Sequence, residues 1–272
     1  MSARSLSPRL QVLRSIDLLG VPFHVVTERA AVELVLDELD AGRGGWVVTP
    51  NLDILRRWVS EPEVAALCSQ ADLVVADGMA IVWAARLQGT PLPERVAGSD
   101  LIHSLTARAA ERGRSVFFLG GNPGTAEDAA RILRERSPAL KVAGTHCPPL
   151  GYESDPAAMR SLRELVLSSK PDIVFVGLGL PKQDRLIASL RGYLPSSWWL
   201  GVGVSFSFVS GDVQRAPAWM RRSGLEWIHR LAQEPRRLAS RYLVHGLPFA
   251  ARLFTNCALR RLLAPAGVRQ TP

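Results

Sequence analysis

Residues 170–183 read KPDIVFVGLGLPKQ, and Asp172, Ile173, Val174, Phe175 and Val176 supply the clearest strand in the chain. After Asp172 the run is continuously apolar and does not alternate, as expected for a strand covered on both faces by helices in a parallel sheet. Gly177 and Gly179 open the turn behind it, where the missing Cβ lets backbone approach a ligand, and Pro181 suits the first position of a following helix. Lys182 and Gln183 then lie over a helix N-terminus. Its free N–H groups and positive dipole end favour phosphate, and Gln183 is able to hydrogen-bond a sugar or base. An ordinary strand-to-helix turn would carry the same residues.

The same strand–helix rhythm extends in both directions. Strands are expected at 21–26, 46–48, 73–76, 115–119, 141–145, 172–176 and 198–202. Helices are expected at 28–40, 52–71, 79–87, from an N-cap at Ser99 to about Arg112, at 125–136, at 155–168 and from Pro181 to about Tyr193. This βα alternation predicts an α/β fold with a doubly wound, mostly parallel Rossmann-like sheet, whose ligands bind at the carboxyl ends of the strands. No internal repeat or low-complexity linker interrupts it.

That rule gathers Thr49, Asn51, Asp77, Gly120, Gly121, Gly179 and Gly203, which all follow strands, into one candidate site. Asp77 is the only carboxylate placed directly after a buried strand and before a glycine, Gly78. Partial desolvation would raise its pKa into the range of a general base, and Thr49 or Asn51 could orient it or a substrate hydroxyl. The competing reading is that Asp77 caps the helix starting at Met79. FFLGGNPG at 117–124 is similar to a dinucleotide turn, but its glycines stand at 120, 121 and 124, and the next strand runs into Gly144, Thr145 and His146 without an acid. NAD recognition is therefore not supported, although a phosphate-receptive helix start is.

The 272 residues, 47% of them apolar, suffice for one large core or for one core plus an appendage, and the charge distribution favours the second. The net charge of +8 is concentrated at the end: residues 215–272 hold eleven Arg and two Glu, or +9, leaving about −1 on the first 214. A tail of this kind suits phosphates on lipid, lipid-linked diphosphate, nucleotide or nucleic acid. Lysine occurs only at 141, 170 and 182, so arginine is the ordinary cation of this chain. Cys68, Cys147 and Cys257 show no metal or redox spacing, which fits a reducing cytosol, and neither a convincing signal peptide nor a transmembrane helix is expected.

Walker A, nucleophile-elbow and HExxH sequences are absent, as is any Asp-x-Asp pair. Without such a pair to hold a divalent metal on a diphosphate, arginines would have to stabilise a nucleotide leaving group. The five histidines are scattered and assemble no metal site.

Six motif segments in order carry a resemblance. They are TPNLDIL at 49–55, ADG at 76–78, RVAGSDL at 95–101, FFLGGNPG at 117–124, VGLGLPKQD at 176–184, and QRAPAWM at 214–220 with GLEWIHRLAQEPRR at 224–237. Together, over about residues 20–241, they resemble the WecG/TagA/CpsF glycosyltransferases. The resemblance implies an inverting, metal-independent and cofactor-free enzyme. It would move a sugar of N-acetylmannosamine, uronic acid or hexose type from a UDP-sugar to a polyprenyl-diphosphate-linked saccharide, for cell-wall polymer or exopolysaccharide. It also implies a catalytic domain over 1–214 and a basic helical appendage over 215–272 that completes the site and meets an anionic membrane surface, placing the protein peripherally on the cytoplasmic face. Nucleic acid is not among the implied partners, and a homo-oligomer stays open.

Carried over residue by residue, the resemblance makes Asp77 the base, with Thr49 and Asn51 beside it and Arg95 and Gln183 lining the pocket. From the strand-end and helix-start reading, Gly78, Gly120, Gly121, Gly179, Lys182 and Gly203 would border the substrates; the resemblance adds Arg230, Arg237 and Arg241, which would neutralise their diphosphates. One departure is visible: the family usually has Asp after Phe in GVG-x-x-F-D, where GVGVSFS here places Ser207. That substitution bears on base or donor recognition. It also keeps open a catalytically silent nucleotide-binding or membrane scaffold protein of the same fold.

Overall fold

The computed structural model describes residues 8–263. A short helix α1 (Pro8–Gln11) leads into the hairpin β1 (Ser15–Leu18) and β2 (Val21–His24). The chain then runs α2 (Glu28–Asp40), β3 (Gly45–Val48), α3 (Leu52–Ser60), α4 (Pro62–Cys68), β4 (Leu73–Val74), α5 (Met79–Gln88), α6 (Gly98–Glu111) and β5 (Ser115–Gly120). It continues through α7 (Thr125–Arg136), β6 (Lys141–His146), α8 (Pro156–Ser169), β7 (Ile173–Gly177), α9 (Lys182–Leu190), β8 (Trp198–Gly201) and α10 (Ser205–Ser210). The C-terminal part is helical: α11 (Ala218–Arg222), α12 (Glu226–Gln233), α13 (Pro235–Ala239), a π-helical stretch Ser240–Gly246 and α14 (Leu247–Leu263).

Strands β3–β8 form one six-stranded sheet in the order β4-β3-β8-β7-β5-β6, and every pairing is parallel. Alternate residues of each strand enter two cores. Val47, Val116, Phe118, Phe175 and Leu200 pack beneath α2, α6, α7 and α10. Trp46, Val48, Phe117, Val174 and Trp199 pack on the opposite face, beneath α3, α4, α5, α8, α9 and α14. Two-sided coverage is why the strands are apolar without alternation. The connection from β5 leads outward to β6 while that from β7 leads back to β8, so the crevice between β5 and β7 is a point where connections diverge, the usual place for a ligand in such sheets.

Several boundaries differ from expectation. The strand expected at 21–26 is the second arm of a separate antiparallel hairpin, closed by Leu19 (φ 55°) and Gly20 (φ 87°). His24 docks it on the sheet edge, its ring nitrogen accepting the Val74 N–H at 3.0 Å. The helix expected at 52–71 breaks at Glu61, because Pro62 favours a helix start and cannot continue one. Ser99 is not an N-cap: Ala97 holds that place and Ser99 lies in the first turn of α6. Pro181 stands one residue before its expected position, as the N-cap of α9.

In the tail, Pro235 starts α13, and the helical path then runs unbroken to Leu263. The π-helical widening falls just before Pro248, whose ring and missing N–H are incompatible with an ordinary bond to Val244.

Candidate active site

The carboxyl ends of β3 and β4 are tied together by backbone. Asp77 N–H donates to Pro50 O at 2.9 Å, and Val96 N–H donates to Ala76 O at 2.8 Å. These bonds place the loop carrying Arg95 against Asp77. The N-cap of α5 is Gly78 at φ 138°, and no side chain caps that helix, so Asp77 is not its cap. Asn51 is a cap: its Oδ1 accepts the N–H groups of Asp53 and Ile54 at the start of α3. Thr49 is buried, and Gly98 passes so close that a Cβ there would lie 3.2 Å from Thr49 Oγ1.

Asp77 keeps 26% side-chain exposure at the sheet edge, with Arg95 Nη1 at 3.8 Å from its Oδ1. Burial pushes its pKa up to about 7; Arg95 and Arg215 oppose this, and the nearby charges of Glu226 and Asp100 reinforce it. Asp100 shows the reverse balance. Burial opposes its ionisation too, but Arg215, Arg95 and Arg221 outweigh that and hold its carboxyl below the usual value. Arg95 Nη2 donates to Asp100 Oδ2, Arg215 Nη1 lies 2.7 Å from Asp100 Oδ1, and Arg221 Nη1 lies 3.3 Å from the same oxygen. Two neighbouring carboxylates, one near neutrality and one firmly ionised, are an arrangement suited to acid–base chemistry.

Gln183 joins two other strand ends. Its Oε1 accepts the N–H groups of Gly179 and Gly203, both at 3.2 Å, clasping the turns after β7 and β8. Gly201 makes room for it, since a Cβ there would fall 2.4 Å from Gln183 Nε2. Gly121 N–H donates to Gly177 O at 2.8 Å, bringing the turn after β5, with Gly120, beside the same crevice. Ser207, on α10, is 3% exposed, and its carbonyl accepts from Gly211 and Val213. Asp184, next to Gln183, is likewise buried, which pushes its pKa up to about 7.

The C-terminal part reaches the turns after β3 and β4 through charged pairs. Arg241 Nε lies 3.0 Å from Asp53 Oδ2 near the turn after β3. Glu226 accepts from Arg95 at 3.2 Å, while Arg215 and Arg221 hold Asp100. Arg230, only 11% exposed, stacks over Phe208 at 5.1 Å and pairs with Glu234. Two expected residues turn outward: Lys182 pairs with Glu153, and Arg237, largely exposed, with Glu234. Asp100, Arg215, Arg221 and Glu226 were not singled out from sequence. The signal that could have found them was that RVAGSDL, QRAPAWM and GLEWIHR each contain a charged residue besides those chosen, Asp100, Arg215 and Glu226, with Arg221 directly after QRAPAWM.

Among the described residues no group of three or more His, Cys, Asp or Glu side chains is placed to hold a metal ion. The three cysteines are unpaired with one another, and Cys68 and Cys257 are buried.

The model of the glycosyl transferase WecG/TagA/CpsF family matches residues 16–262. An N-acetylglucosaminyldiphosphoundecaprenol N-acetyl-beta-D-mannosaminyltransferase of Bacillus spizizenii is 35% identical over 199 residues, 73% of this chain and 75% of its own length. The Bacillus subtilis protein of the same description is 30% identical over 199 residues, with the same coverage. The chain is a glycosyltransferase and belongs to the WecG/TagA/CpsF family.

Proposed function

We propose that the protein transfers N-acetylmannosamine from its UDP derivative to a polyprenyl-diphosphate-linked N-acetylglucosamine, with inversion and without a metal. The observation that carries this reading is Asp77: a carboxylate at a strand end with a pKa of about 7, 3.8 Å from Arg95 and in no tight ion pair. The acceptor and the sugar are those in the names of the two Bacillus relatives. In the proposed step an acceptor hydroxyl attacks the anomeric carbon of the donor, Asp77 takes the hydroxyl proton, and the bond to UDP breaks with its electrons leaving on the diphosphate. Arg230, held on Phe208, and Arg241 supply positive charge for that leaving group or for the acceptor diphosphate. The crevice bordered by Gly120, Gly121, Gly179 and Gly203 takes the nucleotide.

The division into a catalytic unit over 1–214 and an appendage over 215–272 belongs to the same proposal; residues 1–7 and 264–272 lie outside the described residues. No helix among the described residues is long and apolar enough to cross a membrane. The appendage exposes Trp219, Leu243, Val244 and Leu247 together with Arg222, Arg236 and Arg252, a composition suited to resting on an anionic lipid surface.

The test is to incubate the full chain and EDTA with UDP-N-acetylmannosamine and a short-chain polyprenyl-diphosphate N-acetylglucosamine, then read the product's anomeric configuration by NMR. A β-linked disaccharide is expected. A retained configuration, strict dependence on added Mn²⁺ or Mg²⁺, or transfer only from another UDP-sugar would overturn the corresponding part of the reading.

A further inference from the structure

We propose that Glu226, on α12, is a positioning residue that draws Arg95 away from Asp77, so that the base is free of a tight guanidinium pair only while α12 is docked. This rests on Asp77 acting as the base and adds what controls it. One nitrogen is the point of competition. Arg95 Nη1 lies 3.2 Å from Glu226 Oε2 and 3.8 Å from Asp77 Oδ1, whereas Nη2 is committed to Asp100. The guanidinium is planar with donors in fixed directions, so anchoring Nη2 on Asp100 leaves Nη1 only a small swing between the two remaining carboxylates. With Glu226 removed, the acid left beside Nη1 is Asp77.

Glu226 is itself held in place. Its Oε1 faces Arg215 Nε at 3.8 Å, and Arg215 is fixed by Asp100 and by the hydroxyl and carbonyl oxygens of Ser99. Three guanidinium groups, Arg95, Arg215 and Arg221, therefore face three carboxylates, Asp77, Asp100 and Glu226, and Asp77 has the loosest contact. From the α2 side, Glu28 adds a further carboxylate within electrostatic reach of Arg95 and Asp100. Glu226 and Asp100 disfavour the ionised form of Asp77, and Arg95 and Arg215 favour it. Undocking α12 removes Glu226 but leaves Arg95, which then closes on Asp77. The result is a weaker base whenever the C-terminal helices are displaced.

The experiment titrates Asp77 directly. The full chain is prepared with ¹³C-carboxyl aspartate, and the Asp77 signal is identified by its loss in Asp77→Asn. The expected midpoint is near 7 in the wild type. In Glu226→Gln it should fall by about one pH unit, the size expected for a carboxylate gaining an adjacent guanidinium. Glu226→Asp keeps the charge but withdraws it by about 1.5 Å, one carbon–carbon bond, and should give a smaller fall in the same direction; it carries the test if the Gln variant does not fold. Glu234→Gln, which breaks the neighbouring pairs to Arg230 and Arg237, should leave the midpoint unchanged. An unmoved midpoint in the Glu226 variants, or an equal displacement in Glu234→Gln, overturns the proposal. The titration needs no turnover, so a failure of the sugar-transfer reading is seen separately, in the transfer assay.

Discussion

Replacing Asp77 with Asn should make the protein more stable above neutrality while it loses activity, and the size of the gain follows from the site. The folded-state pKa of about 7 lies above the ordinary aspartate value of 3.8. A carboxyl raised in this way contributes stability that is fully present below 3.8 and is lost as pH rises through about 7, because the folded state holds its proton longer than the unfolded one. At about 1.36 kcal/mol for each pH unit between them, the complete loss is about 4 kcal/mol. The 26% exposure of the side chain makes that an upper figure. The substituted asparagine keeps the shape and carries no charge, so the variant should match the wild type near pH 4 and exceed it by about 2–4 kcal/mol at pH 8. Asp184, also with a pKa of about 7, loses stability over the same window in both proteins and cancels in the comparison. Urea unfolding at pH 4, 6 and 8 gives the difference. Parallel stability curves for the two proteins across that range would refute the raised pKa of Asp77.

Gln183→Ala should lower stability by about 2 kcal/mol, since it leaves the Gly179 and Gly203 N–H groups without their acceptor, and denaturant midpoints would show it. Full stability with lost UDP affinity would instead make Gln183 a ligand contact. The double variant Val244→Glu with Leu247→Glu changes two exposed apolar residues and should abolish binding to anionic vesicles without changing the fold. Wild-type vesicle binding should weaken with added salt, because much of that attraction is screened, and sedimentation with liposomes reads both effects.

The parallel sheet was legible because its strands are short apolar runs ending in glycine or a polar residue, and Asp77 was legible because it alone is an acid at such an end. The hairpin was not. Ser15–Leu18 is four residues with Asp17 inside it, and its turn uses Leu19 at positive φ, a place where glycine or asparagine would have signalled it. The two roles of Asn51 and Gln183 in holding backbone were also hidden, because a side-chain amide spells ligand contact and helix cap alike. Glu226 was the least visible. Its partner Arg95 is 131 residues away in sequence, and only the docked tail brings them together.

The rate of sugar transfer by wild type and Asp77→Asn, measured from about pH 5.5 to 9 with saturating substrates, tests the central claim most directly. The wild-type rate should rise through about pH 7 as Asp77 ionises. The Asn variant should be slower by about 10²–10⁴-fold at pH 8 and lack that rise. Near-normal transfer by the variant, with the same rise, would contradict Asp77 as the base.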